Sequence, residues 1–377
     1  MSEVGEILDA IGALENRGES MALATIVDVR GSTYRRPGAR LVMSSDGTMV
    51  GNLSGGCLEG EVADVGLSVM KDGRARTALY DLTADDEVVW GWGLGCNGAI
   101  EVFIEPAEKA VEIAGALRNA IEQQRPVAVA TVLESSLAGV EPGDRVLVEG
   151  GEVRGRLADE EALAQVTEIA RRSLSTGITE IRELTPANGE LRIFIEAIQP
   201  PLRLVVCGAG HDAVPLVKLA ASLGWNVDVF DDRKSMLNKP RFPGARSFIA
   251  GPPADAADTA EVNDRTFVVV MSHNYLRDRD YLRSMLDSEA AYVGMLGPSA
   301  RLERLLGDLA TDGINPTDER LERVHGPAGL DVGAEGPEEI AAAIVGEILA
   351  VSRGRAGGFL RQRGGPIHKP ERARASS

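Results

Sequence analysis

The chain is poor in aromatic residues, cysteine and histidine. Aromatic residues make up 4% of its 377 residues, and there are only three cysteines and four histidines. The core must therefore be built from aliphatic side chains, which suits α/β packing, where parallel strands read as Val, Ile and Leu runs. A small, odd number of cysteines in a long chain indicates a reducing compartment rather than a disulfide framework, so a cytoplasmic location is expected.

Positive charge and long apolar runs are also scarce. The chain has 40 Lys and Arg residues against 57 Asp and Glu residues, a formal net charge of −17. Such a surface repels phosphate backbones and anionic lipid, so neither nucleic acid nor a membrane is an expected partner. No apolar run approaches the ~18 residues that a membrane span needs. The N-terminus lacks the cationic and then apolar order of a signal peptide.

The length of the chain and the order of its elements predict two domains and an α/β fold class. Residues 1–199 mix candidate helices and strands, which predicts an α+β domain, and two prolines at 200–201 mark its end. Residues 200–352 alternate strands and helices, which predicts a parallel sheet. Residues 353–377 are a basic, Gly-rich tail that we expect to be mobile. No internal repeat is visible.

The apolar patterns place individual elements in both domains. The predicted helices span 3–17, 61–71, 106–124, 159–173, 211–223, 277–287, 299–310 and 337–352. The predicted strands span 21–29, 40–43, 102–104, 127–133, 191–198, 202–207, 226–230, 266–271 and 291–296, with a hairpin at Gly150-Gly151.

The most informative motif follows the strand over 202–207. Gly208, Gly210 and Ala213 form G-x-G-x-x-A between an apolar strand and an amphipathic helix. In this pattern the first glycine permits a tight turn, the second lets a pyrophosphate approach the backbone, and the alanine allows close packing of the helix on the strand. The helix N-terminus offers N–H groups to phosphates. The motif therefore predicts a Rossmann-type dinucleotide-binding domain.

Acidic residues at the end of the next strand bear on the nucleotide. Asp231, followed by Asp232, lies 23 positions after Gly208, where a carboxylate can bind both ribose hydroxyls and favours NAD over NADP. Arg233 leaves NADP open, because it can accept a 2′-phosphate. A Rossmann-shaped domain that binds no nucleotide is the alternative, since fold alone does not fix function.

Two histidines are expected at the same edge of this sheet. His211 lies in the glycine loop, and His273 follows the strand over 266–271. The carboxyl ends of parallel strands face the ligand crevice, and imidazole serves as a general acid or base. Both are therefore candidate catalytic residues, with the capping of a turn as the alternative.

Glycine-rich segments of the first domain carry the other two cysteines. Gly55-Gly56-Cys57-Leu58-Glu59-Gly60 precedes a helix, and Cys96 ends the segment over 91–96. Glycine lets a bulky ligand approach closely, and a helix N-terminus favours a thiolate. Cys57 is thus a candidate nucleophile or soft-metal ligand, and Gly55, Gly56, Glu59 and Cys96 are candidate cofactor-binding residues beside it. The alternative is that both cysteines are small buried hydrophobes, the role assigned to Cys207 inside its strand.

Paired arginines occur upstream in a Gly/Pro loop. Arg35 and Arg36, before Pro37 and Gly38, can clamp a phosphate bidentately. A solvated loop is the alternative.

Taken together, these segments resemble the XdhC/CoxI family, the accessory factors of xanthine dehydrogenase and related molybdenum hydroxylases. The resemblance rests on the glycine-cysteine and arginine segments above and on Gly208–His211, Asp231–Arg233, Tyr292–Gly297, Gly329–Asp331 and Glu338–Ile340. The chain departs from the family pattern at Ser272-His273-Asn274-Tyr275, where Thr-His-Asp-His is frequent. It also has Asp212 where an apolar residue is frequent.

The resemblance implies a protein that binds molybdenum cofactor (molybdopterin or its dinucleotide form), aids its sulfuration and delivers it to an apo xanthine dehydrogenase-type hydroxylase. It implies that Cys57 contacts the molybdenum or its sulfur, and that the Rossmann half binds a nucleotide. A cysteine desulfurase as a second partner and a homodimer are left open.

An NAD(P)-dependent oxidoreductase, with its substrate between the two domains, is the alternative function. A xanthine dehydrogenase is excluded by counting: two [2Fe–2S] clusters need four cysteines each, and the chain has three.

Overall fold

The computed structural model describes residues 3–32, 35–56, 58–81 and 97–362 and divides the chain into two compact units, between Pro200 and Pro201. The N-terminal unit contains antiparallel sheets and helices, and the C-terminal unit contains a parallel sheet. The predicted fold class is therefore confirmed. Among the described residues, no helix has both the length and the apolar character to cross a bilayer.

In the residues described, the N-terminal unit consists of two five-stranded sheets with four helices. In chain order its elements are α1 (Glu3–Arg17), β1 (Met21–Ser32), β2 (Arg40–Ser44), β3 (Met49–Gly51), α2 (Glu59–Asp72), β4 (Arg76–Asp81), β5 (Asn97–Pro106), α3 (Ala107–Gln123), β6 (Val127–Ser135), β7 (Arg145–Glu149), β8 (Glu152–Gly155), α4 (Glu160–Thr176), β9 (Glu180–Leu184) and β10 (Leu191–Ile198). The strand orders are β3-β2-β1-β5-β4 and β8-β7-β6-β10-β9. Because the two orders correspond strand for strand, the expectation of a chain without a repeat is wrong at the level of topology.

Apolar helix faces build the core of this unit. The apolar spacing in α1 predicts a stripe of Val4, Ile7, Leu8, Ile11 and Leu14. The last four are buried against α3 and the start of β1, whereas Val4 is exposed. The helix α2 covers the first sheet, and α4 covers the second. Each helix thus buries one face on a sheet or on another helix, the usual solution for an amphipathic helix.

The C-terminal unit is a six-stranded sheet with helices on both faces. Its elements are β11 (Arg203–Cys207), α5 (Ala213–Ser222), β12 (Asn226–Asp231), β13 (Ser247–Ala250), α6 (Ala256–Thr259), β14 (Thr266–Val270), α7 (Tyr275–Asp287), β15 (Tyr292–Met295), α8 (Ser299–Thr311), α9 (Asp318–Glu322), β16 (Val324–His325) and α10 (Pro337–Ser352). Short 3₁₀ helices lie at Lys234–Met236, Pro253–Asp255 and Leu360–Gln362. Of the predicted mobile tail, residues 363–377 lie outside the described residues.

All five pairings in this sheet are parallel, in the order β13-β12-β11-β14-β15-β16. This is the doubly wound strand order: β12 and β13 are added on one side of β11, and β14, β15 and β16 on the other. Leu204 and Val206 pack under α5 and α10, whereas Val205 and Cys207 pack under α7 and α8. Both faces of β11 are therefore buried, and the carboxyl ends of β11 and β14 form the switch point where such folds bind ligands.

Asp228, in the middle of β12, is fully buried. Its carboxylate accepts bonds from Arg203 Nε (2.9 Å), from Arg246 Nε and Nη2 (both 3.1 Å) and from Ser247 Oγ (2.6 Å). Burial alone would raise the pKa of Asp228, but these donors outweigh it and hold the pKa below its usual range. This carboxylate links three strands of the sheet.

Replacing Asp228 should therefore destabilise the C-terminal unit. We expect Asp228→Asn to lower the free energy of unfolding by about 3 kcal/mol, because it leaves the largely buried guanidinium of Arg203 without its counter-charge. Urea denaturation measures this, with Asp264→Asn, an exposed acidic position, as the control. Equal losses in the two variants would contradict the assigned role of Asp228.

Candidate functional site

The glycine loop lies at the switch point of the parallel sheet, between β11 and α5. Gly208 has φ of +116°, and a Cβ there would lie 2.8 Å from backbone atoms of Met271 and Ser272. Only glycine therefore lets β11 and β14 approach each other at their carboxyl ends. Ala213 is fully buried at the start of α5, as close packing of this helix on the sheet requires.

Gly210 differs from Gly208 in that packing does not require it. A Cβ at position 210 would lie at an ordinary contact distance of 3.6 Å from His273 Cδ2, and the backbone has no positive φ. The first turn of α5 has N–H groups without helical acceptors, and Asp212 makes no side-chain cap to them. Room above the backbone together with these donors is what an anionic ligand needs.

Asp231, predicted to bind the ribose, lies beneath the loop instead of in the crevice. It is 1% exposed, and its Oδ2 accepts the backbone N–H of Ala209 at 2.7 Å. Arg233 donates to both carboxylate oxygens at 2.8 Å. Burial would raise the pKa of Asp231, but the bonds from Arg233 and Ala209 hold it well below its usual range. The carboxylate that is exposed at this strand end is Asp232, which pairs with Arg277 at 3.0 Å.

His273 forms a pair that the sequence did not reveal. Its Nε2 lies 2.9 Å from Asp212 Oδ2, so the imidazole joins the end of β14 to the first residue of the α5 turn. Its backbone has φ of +56°, a strained conformation for a residue with a side chain and one that concentrates at functional sites. His211 is exposed on the loop. The sequence showed Asp212 as a departure from the family pattern, but pairing with His273 needs the fold.

Buried Asp278 holds the turn that carries His273. It accepts bonds from the hydroxyl and N–H of Ser272 and from Arg301 Nη2 at 2.7 Å. The side chain of Asn274 caps α7 by accepting from Arg277 N. These contacts fix the β14–α7 turn, a role that sequence reasoning missed because Asp278 resembles any other acidic residue of a helix.

In the N-terminal unit, the described ends of the motif-bearing loops lie at one end of the first sheet. The register pairs Ser32 with Asn97 and Asp81 with Ala99. The loops before Arg40 and after Gly51 leave the same end, because these residues start β2 and finish β3, which are antiparallel. The arginine loop, the Gly55-Gly56 segment and the boundaries of residues 82–96 therefore share one end of this sheet. Cys57 and Cys96 lie outside the described residues.

The carboxylate of Glu59 binds its own loop. Its Oε1 accepts from the backbone N–H groups of Leu53 (3.1 Å) and Ser54 (2.9 Å), and its Oε2 from Ser54 Oγ (2.7 Å) and Leu58 N (3.1 Å). Burial opposes ionisation, but these donors lower the pKa of Glu59 to about 2. All of these bonds are made to Leu53, Ser54 and Leu58, so Glu59 stabilises the segment that precedes α2.

Gly55 and Gly56 are suited to close approach by a ligand. Both have positive φ, of +86° and +111°, and no atom lies within 4 Å of a Cβ built on either. Gly55 N donates to Asn52 Oδ1 at 2.9 Å. Of the predicted arginines, Arg36 is exposed and Arg35 half-buried. In the ranges that the structure describes, no group of three or more His, Cys, Asp or Glu side chains is arranged to hold a metal ion.

Comparison with known proteins shows the family to which the chain belongs. The XdhC Rossmann domain matches residues 204–348, and the XdhC and CoxI family matches residues 14–81. A protein of Bacillus subtilis that is named as a probable subunit of xanthine dehydrogenase is 33% identical over 93% of this chain and 97% of its own length. This chain belongs to the XdhC and CoxI family.

Two further proteins resemble this family member over most of its length. The "Molybdenum cofactor insertion chaperone PaoD" of Escherichia coli is 24% identical over 89% of this chain and 84% of its own. A crystal structure from Bacillus halodurans, described as a xanthine dehydrogenase, superposes with a TM-score of 0.75 at 29% identity, covering 94% of this chain and 97% of that one.

The two glycines of the nucleotide loop should respond differently to an added methyl group. Gly208→Ala should lower the free energy of unfolding by roughly 2–4 kcal/mol, because of its positive φ and the nearby backbone. Gly210→Ala should change it by less than ~1 kcal/mol. Urea denaturation of both variants tests this, and a Gly210→Ala loss as large as that of Gly208→Ala would refute the distinction.

Glu59 should stabilise the loop only when it is ionised. Because its folded-state pKa of about 2 is below its ordinary value of 4.5, its contribution is present above pH 4.5 and is lost as the pH falls towards 2. Glu59→Gln should cost about 1–2 kcal/mol at pH 7 and less at pH 3. Glu61→Gln, exposed on the same helical turn, is the control and should leave unfolding nearly unchanged at both pH values.

Proposed function

We propose that this chain is an accessory protein that binds molybdenum cofactor, aids its sulfuration and inserts it into an apo xanthine dehydrogenase-type molybdenum hydroxylase. One observation carries the proposal: the arginine loop, the Gly55-Gly56 segment and the boundaries of residues 82–96 lie at one end of the first sheet. The name of PaoD, a molybdenum cofactor insertion chaperone, supports it.

The described residues at this end fit such a cargo. Open space over Gly55 and Gly56 allows a bulky pterin to approach the backbone. Arg36 is exposed on a neighbouring loop, where a guanidinium can bind the phosphate of the cofactor bidentately. Cys57 follows Gly56 directly, and a thiolate there would be a soft ligand for molybdenum or its sulfur. Glu59 would hold the loop in place without contacting the cargo.

Sulfuration requires a sulfur donor, and we propose a cysteine desulfurase as this second partner. Delivery requires the cargo to leave, so open loops are better suited to this role than a closed pocket. We also propose that the chain forms a homodimer, which a measurement of its mass in solution would test. Because the pterin of the cofactor is not changed between binding and release, the chain acts as a carrier more than as a turnover enzyme.

We propose that the glycine loop of the C-terminal unit binds a nucleotide, either the nucleotide part of a dinucleotide form of the cofactor or NAD(P). Support comes from the room over Gly210 and the uncapped N-terminus of α5. Because Asp231 is occupied by Ala209 and Arg233, recognition of a ribose would depend on Asp232. The carboxylate of Asp212 lies 2.9 Å from His273 Nε2 and is directed towards this imidazole.

An NAD(P)-dependent oxidoreductase is the second candidate, and the His273–Asp212 pair favours it. A carboxylate that orients an imidazole at the switch point of a nucleotide-binding sheet is the arrangement of a general acid–base pair. This function would require turnover with a nicotinamide cofactor alone.

Anaerobic binding of purified molybdenum cofactor to the full chain tests the proposal. Cys57→Ala should weaken binding at least tenfold, because it removes the proposed soft ligand. Cys207→Ala should bind like the wild type, because this thiol is fully buried in β11 and burial raises its pKa. NAD and CTP are titrated in parallel against wild type and Gly210→Ala.

The outcomes separate the two functions. Tight cofactor binding that depends on Cys57 supports the carrier. Binding of NAD without any binding of the cofactor would overturn it and favour the oxidoreductase, for which His273→Ala should then abolish turnover.

A further inference from the structure

The N-terminal unit contains the same succession of elements twice. Residues 3–106 run helix, three strands, helix, two strands, and residues 107–198 repeat that succession. Each set forms a sheet with the same strand order, so β1 corresponds to β6, β2 to β7 and β5 to β10. We call these sets the first copy and the second copy.

Side chains and backbone features correspond at the same positions. Thr25 lies opposite Arg40 and Phe103 in the first copy, and in the second copy Thr131 lies opposite Arg145 and Phe194. The register shifts next to these threonines, so that Val27 bulges in β1 and Leu133 in β6. The pattern Pro-Gly-x-Arg precedes each second strand, and its glycines have φ of +92° and +93° at positions 38 and 143.

Contacts between the copies are reciprocal. Arg40 of the first copy pairs with Glu196 of the second, and Arg145 of the second pairs with Glu105 of the first. Since Arg40 corresponds to Arg145 and Glu105 to Glu196, each copy presents the same residues to the other. Such reciprocity defines a two-fold, isologous interface.

Residues on the axis of this relation should meet their own counterparts. The bulged residues Val27 and Leu133 form one buried cluster with Phe103 and Phe194. Glu101 and Arg192 occupy corresponding positions and pair with each other, with Arg192 Nη1 lying 2.7 Å from Glu101 Oε1. Because each of these two residues pairs with its own counterpart in the other copy, they lie close to the two-fold axis.

We infer that the N-terminal unit is a pseudo-dimer of two tandem copies, in which only the first copy binds cargo and the second copy serves as its structural partner. The loop after β3 spans 52–58, whereas the loop after β8 spans only 156–159. Residues 82–96 separate β4 from β5 in the chain, whereas only residues 185–190 separate β9 from β10. One site per chain follows, and this part of the inference rests on the proposed function.

Exchanging the charges at the axis tests the pseudo-dimer without any ligand. In the native chain Asp28 lies opposite Glu101 and Glu134 opposite Arg192. The double variant Glu101→Arg with Arg192→Glu exchanges these two charges between the copies, so that Arg lies opposite Asp28 and Glu lies opposite Glu134. Each single reversal places like charges together and should lower the Tm by roughly 5–10 °C, and the double variant should restore most of this loss.

A second exchange at the same interface is the matched control. Arg40→Glu with Glu196→Arg swaps residues that do not correspond, and Arg40 also donates to Gly38 O at 2.9 Å, which a glutamate cannot do. This double variant should remain destabilised. Losses that add in the Glu101 and Arg192 double variant would overturn the two-fold relation.

Native mass spectrometry with molybdenum cofactor tests the asymmetry. One cofactor per chain in the wild type supports the inference, and two per chain would overturn it. If the charge exchange restores stability while no cofactor binds, the proposed function fails and the pseudo-dimer stands.

Discussion

Largely buried carboxylates that are each paired with arginine set the geometry of both units. An ionised carboxylate taken out of water without a partner costs several kcal/mol, so it is tolerated only where the fold brings a guanidinium to it. The pairs are Glu105–Arg145, Glu196–Arg40, Asp228–Arg203, Asp228–Arg246, Asp231–Arg233 and Asp278–Arg301. Most of these pairs connect segments that are distant in the sequence, and Asp231–Arg233 connects the end of a strand to the loop that follows it. The positions of the candidate site residues depend on these contacts.

This constraint explains why acidic residues in functional motifs do not all face a ligand. Asp231 follows the glycine loop at the spacing expected of a ribose ligand, yet it holds Ala209 and Arg233 beneath the crevice. Glu59 sits in the most distinctive segment and binds the amides of its own loop. In both places the motif preserves the shape of a loop. The surfaces that remain for a ligand are the first-turn N–H groups of α5 and the open faces of Gly55, Gly56 and Gly210.

Hydrophobic periodicity and turn residues predicted the longer helices and strands of the fold. Apolar runs located β11, β12, β14 and β15, and the stripe of α1 located its buried face, because those signals are local. The short strands β13 and β16 were not predicted, because strands of four and two residues are too short to show a hydrophobic periodicity. The His273–Asp212 pair and the reciprocal arginines also escaped, because nothing local brings residues distant in the chain together.

Duplication accounts for how the N-terminal unit combines rigid packing with open, glycine-rich loops. A loop with positive φ and no side chains contributes little to stability, so its scaffold must be fixed elsewhere. In this unit the fixing contacts lie between the copies, through Arg40, Arg145 and the cluster around Phe103 and Phe194. The second copy needs short loops only, and its face against the first copy must be kept. The residues that the two copies share are accordingly few and lie at this face, such as the Pro-Gly-x-Arg pattern, so the repeat is clearer in the register of the strands than in the order of the amino acids.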